Sequence, residues 1–158
     1  WDVSRVTRMS CLLSYTAKFQ GDISKWNVSR VTSMDNLFER SLFNGDISQW
    51  DVSRVTGMGV MFGEAISFQG DISKWKVSRV TDMNRMFWNS AAFNGDISNW
   101  DVSSVTRMQY MFQSTSSFTR DINRWNIQRV TSFESFLFVT AFWASLTGVH
   151  SAKYPGVR

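Results

Sequence analysis

The sequence predicts an α/β fold, a right-handed solenoid of strand-helix repeats about 25 residues long, on three observations. Phrases close to W-D-V-S-R-V-T start at Trp1, Trp26, Trp50, Trp75, Trp100 and Trp125, spaced by 25, 24, 25, 25 and 25 residues. Each copy joins a short apolar alternation to a stripe with steps of three and four. The single proline, Pro155, lies outside the array and interrupts no coil.

The first segment of a copy, Trp50-Asp51-Val52, alternates apolar and polar residues and suits a very short strand with Trp50 and Val52 inward. The second runs through Val55, Met58, Phe62 and Ala65, one stripe of a helix. Ser53 and Thr56 are placed to cap that helix. Before the strand, Phe43-Asn44-Gly45-Asp46 reads as a turn, with Gly45 free to take positive φ and Asp46 able to bond nearby N–H groups. The 24-residue copy has lost one position between Phe38 and Phe43, which marks a loop.

Neither a two-turn helix nor a three-residue strand is stable alone, so neighbouring units must stack, with the strands parallel. Residues 1–138 form about six such coils, beginning within a repeat, as in a piece of a larger protein. Residues 139–158 follow as a degenerate C-terminal capping or docking segment. With 43% hydrophobic and 15% aromatic residues, the chain can bury a core and is not a disordered segment. Cys11 is the only cysteine, so no disulfide forms within the chain.

The whole consensus, D-I-S-x-W-D-V-S-x-V-T-x-M-x-x-M-F after F-N-G, resembles the BspA-like leucine-rich-repeat surface proteins and the 25- or 26-residue repeats of bacterial and mycoplasma surface lipoproteins, found also in algae. The spacing Ile47-x-x-Trp50-x-Val52-x-x-Val55 follows the leucine-rich-repeat strand, with Val where that fold places Asn or Cys. This resemblance implies an extracellular or cell-surface location and adhesion or recognition, with no shared ligand and no catalytic residues.

Candidate partner-binding residues lie at positions that leave the core pattern. Arg5, Arg30, Arg54, Arg79 and Arg129 form a column, interrupted by Ser104, at the expected first helical position. Stacked guanidinium groups repel and need counter-charges, from Asp columns of the chain or from a ligand. Lys25, Lys74 and Arg124 precede tryptophans, and Asp51, Lys76 and Asp101 follow them. With a net charge of +4, a protein or an anionic glycan is the expected partner. Nucleic acid is disfavoured because the aromatics are expected inside, away from any base.

No cofactor or metal is expected. One carboxylate per coil is far short of the six to eight oxygens, roughly, that calcium takes, and the Met and Trp columns are core. The only histidine, His150, has no nucleophile motif beside it, so the chain reads as a non-enzyme. No stretch reaches the length of a membrane span. Phe138, Phe142 and Trp143 are candidate docking residues. They support a second reading, a peripheral structural subunit of a large, organellar or membrane, multiprotein complex.

Overall fold

The computed structural model describes residues 1–132, 134 and 135. They form a stack of irregular coils, one per repeat. Parallel bridges of one residue each run from Arg8 to Ser33, Gly57, Asp82, Arg107 and Ser132 in turn. The α/β strand-helix solenoid, and with it the leucine-rich-repeat-like coil, is overturned. The described residues contain no helix, and no bridge extends into a strand.

Where a strand was expected, Trp50-Asp51-Val52 instead links two tight turns. Trp50 N–H donates to the Ile47 carbonyl at 3.2 Å, and Val55 N–H to the Val52 carbonyl at 2.9 Å. A carboxylate opens each turn: Asp46 accepts Ser48 N–H at 2.9 Å and Asp51 accepts Ser53 N–H at 3.1 Å. Short polar side chains bond their own backbone two residues on, and here this local geometry displaces both strand and helix. D-I-S-x-W and D-V-S-R-V are therefore one turn motif written twice in each coil. Ser53 caps no helix; it is itself held by Asp51.

Where the helix was expected there is a ribbon of overlapping turns. Met58, Val60, Phe62 and Glu64 donate their N–H groups to the carbonyls of Asp82, Asn84, Met86 and Trp88 in the next coil, at 3.0, 2.8, 2.9 and 2.7 Å. Between them, Met61, Gly63 and Ala65 donate three residues back within their own coil, at 3.2, 2.9 and 3.0 Å. Met58, Met61, Phe62 and Ala65 all point inward and are fully buried. Their spacing is also that of one helix face, so hydrophobic periodicity cannot separate the two conformations.

The ribbon turns because two residues per coil adopt the left-handed region, Val60 and Glu64 both at φ 56. Cys11 and Tyr15, Asn36 and Arg40, Arg85 and Asn89, and Tyr110 and Ser114 do the same in the other coils. Only glycine enters this region without steric cost, and asparagine or aspartate at reduced cost; an ordinary side chain loses roughly 1–2 kcal/mol. Val60, β-branched, is the most strained of the set. Val60→Asn is expected to raise stability by about 1 kcal/mol, measured as a higher denaturant midpoint at unchanged slope. A lower midpoint would show that its packing over Gly63 outweighs the strain.

Three ladders hold the coils in register. Trp1, Trp26, Trp50 and Trp75 stack with ring centroids 6.1, 6.3 and 6.5 Å apart. Buried Trp50, Trp75, Trp100 and Trp125 each donate the indole N–H to an isoleucine carbonyl one coil back, Ile23, Ile47, Ile72 and Ile97, at 3.0–3.1 Å. That bond removes the penalty of burying the indole nitrogen. Phe38, Phe62, Phe87 and Phe112 form the central ladder, at 5.4, 5.6 and 5.7 Å. The threonines, expected as helix caps, form the third: the hydroxyls of Thr32, Thr56, Thr81, Thr106 and Thr131 each donate to the preceding threonine carbonyl at 3.1–3.2 Å.

Candidate functional site

The doubled turn motif explains where the candidate cations lie. Lys25, Lys74 and Arg124 are the last residue before the tryptophan that closes the first turn. Arg5, Arg30, Arg54, Arg79 and Arg129 occupy the same place before the valine that closes the second. With valine, isoleucine and tryptophan held inside, these corner residues can only point outward, and all eight are exposed. The Arg column therefore sits on turns, not at a helix start. None of its members has a carboxylate within 4.0 Å among the described residues, where the ion pairs are Arg40 with Glu64 and Arg107 with Asp82.

The Asp columns are engaged elsewhere. Backbone N–H and side chain of Ser24, Ser48 and Ser73 hold the carboxyls of Asp22, Asp46 and Asp71 below the ordinary range. The side chains and N–H groups of Ser53 and Ser103 do the same for Asp51 and Asp101. Each of these carboxylates is oriented by its own turn, and Asp51 is held down further, to a smaller extent, by the charges of Lys76 and Arg54.

Lys76 departs from this rule. In the same position Asp2, Asn27, Asp51, Asp101 and Asn126 each accept an N–H from two residues on, at 3.0, 3.2, 3.1, 3.1 and 3.2 Å. A lysine has no acceptor to offer. Lys76, Lys74 and Asp51 line a shallow cleft of about 300 Å³ with Ser48, Gln49, Trp50, Val52 and Ser53. Of the candidates these three are brought together, while Lys25, Asp101 and Arg124 are exposed on other coils. Phe138, Phe142, Trp143 and the expected segment 139–158 lie outside the described residues.

Two features escaped the sequence reading. A polar cleft of about 350 Å³ on the threonine side is lined by Arg8, Asp35, Asp82 and Arg107, among others. On the turn ribbon, the Arg85 guanidinium lies over the rings of Trp88 and Tyr110, 5.8 and 5.0 Å from their centroids. The second carried a visible signal: among the described residues, Trp88 is the one tryptophan off the 25-residue register. No group of three or more His, Cys, Asp or Glu side chains that could hold a metal ion occurs among the described residues. No helix there is long and apolar enough to cross a membrane.

The family described as Mycoplasma protein of unknown function, DUF285, matches residues 1–80 and again residues 67–148. The chain belongs to this family. The two DUF285 matches overlap and together span the repeat array. No curated protein and no solved structure matches the chain.

Proposed function

We propose that this chain is a non-enzymatic recognition scaffold whose turn corners bind an anionic glycan or an acidic protein face. It is read as part of a larger, surface-exposed protein of BspA-like character. The observation that carries the reading is the column of exposed guanidinium groups, Arg5, Arg30, Arg54, Arg79 and Arg129, none with a carboxylate within 4.0 Å among the described residues. Like charges repeated on successive coils repel, and an anionic polymer that runs along the stack relieves that repulsion. Lys76 supports it further, since a cation stands where the turn favours an oxygen acceptor. Residues that work against local structure mark functional surface.

Lys76→Asn separates function from folding. It restores an acceptor for the turn and is expected to add about 0.5–1.5 kcal/mol of stability. Affinity for immobilised heparin, the anionic probe, is expected to fall. The charge reversal Arg30→Glu, Arg54→Glu, Arg79→Glu is expected to abolish heparin retention at physiological salt while the melting temperature holds. Retention that survives the triple reversal would overturn the reading, as would a triple variant that melts lower in step with its loss of binding.

A further inference from the structure

We infer that Arg85, stacked on Trp88 and Tyr110, is a docking site for a carboxylate-bearing segment of a partner protein. The molecule contains a filled version of the same arrangement. On one outward column of the ribbon, Tyr15, Arg40 and Glu64 follow one another on successive coils. Arg40 lies 5.2 Å from the centroid of the Tyr15 ring, donates to the Tyr15 hydroxyl at 3.3 Å, and gives both Nε and Nη2 to Glu64 at 2.7 Å. Aromatic ring, guanidinium and carboxylate are complete.

On the neighbouring outward column the order runs the other way: Val60, Arg85, Tyr110. The ring and the guanidinium are present, and Val60 occupies the coil where the carboxylate would stand. Arg85 is exposed and has no carboxylate within 4.0 Å among the described residues. Glu134 accepts from the Tyr110 hydroxyl at 3.1 Å instead. A guanidinium held against aromatic faces loses little further freedom on forming a two-pronged bond to a carboxylate.

Arg85 and Tyr110 hold φ at 54 and 57, the left-handed conformation that these ribbon positions share in every coil. Half-buried Trp88 and Tyr110 are apolar walls beside the cation. Tryptophan, tyrosine and arginine together are the residues that dominate protein interfaces. The walls favour Asp or Glu flanked by apolar side chains over a sulfated glycan, which offers the charge without the apolar contact.

The test is selection from a displayed peptide library carrying a fixed central glutamate. Retained peptides are expected to place apolar residues beside the glutamate and to lose binding when it is replaced by glutamine. Arg85→Ala is expected to weaken them about tenfold or more, and Arg85→Lys to recover only part. Val60→Glu closes the fork from within and is expected to block binding even if Arg85→Ala fails to fold. The triple reversal at Arg30, Arg54 and Arg79 is expected to leave these peptides bound, so this site and the corner cations fail or stand separately. The proposal is overturned if no peptide is retained, if peptides bind Arg85→Ala or Val60→Glu as well as the parent, or if heparin alone binds in an Arg85-dependent way.

Discussion

Phe87→Ala is expected to lower stability by about 3–5 kcal/mol, a large share of the roughly 5–15 kcal/mol that holds a domain of this kind folded. Phe87 is fully buried and sits between Phe62 at 5.6 Å and Phe112 at 5.7 Å. It also packs on Phe93 at 3.9 Å and Trp100 at 6.5 Å. Truncation therefore removes ring contacts to two neighbouring coils as well as to its own. The void resists collapse, because Phe87 N–H donates to the Met111 carbonyl and the Phe87 carbonyl accepts the Thr115 hydroxyl at 2.6 Å, which ties this backbone to the next coil. In a stack whose units contact only their neighbours, a lost central rung weakens both interfaces it serves. Phe19→Ala is expected to cost less than half as much, since Phe19 is only partly buried in the first coil, its ring 6.0 Å from Phe43. Chemical denaturation of both variants decides the point. Equal losses would mean that the phenylalanines do not act as one continuous core.

The inward columns were legible in the sequence: Trp50, Val52, Val55, Met58, Phe62 and Ala65 are all buried as their spacing implies. The conformation that carries them was not. A face of residues three and four apart fits a helix, and it equally fits a ribbon whose N–H groups alternate between the next coil and the residue three back. Propensity could not expose the ribbon either, because its left-handed positions hold Val60, Arg85 and Tyr110, residues that ordinarily avoid them. The Asp-x-Ser turns were in plain view, yet the second copy, Asp51 to Ser53, reads as strand followed by cap unless the two halves of a coil are compared. The corner cations were readable as exposed residues off the core pattern. The Arg85 platform was not, since it joins residues from two coils, and only the off-register Trp88 announced it.

Gly70→Ala is the second large effect expected, about 1–3 kcal/mol of destabilisation from overpacking. The glycine of the F-x-G-D phrase invites a conformational explanation, a positive φ, but Gly21, Gly45, Gly70 and Gly95 lie outside that region. Their need is space. A Cβ on Gly70 would lie 2.8 Å from Cε2 and 2.9 Å from Cζ of Phe68, two residues earlier, and the same contact at Gly45 would be 2.6 Å from Phe43 Cζ. Phe68 cannot swing aside, because it is fully buried between Phe62 at 4.0 Å and Phe93 at 6.2 Å. The glycine is thus a consequence of the phenylalanine ladder, which requires each ring to fold back over its own chain. A double-mutant cycle tests this. Phe68→Leu removes the atoms that a new methyl would meet, so Gly70→Ala should cost markedly less in that background than in the parent, with the coupling read from denaturant midpoints. Additive losses would show that Gly70 serves the backbone after all, and the steric account of the F-x-G-D phrase would fall with it.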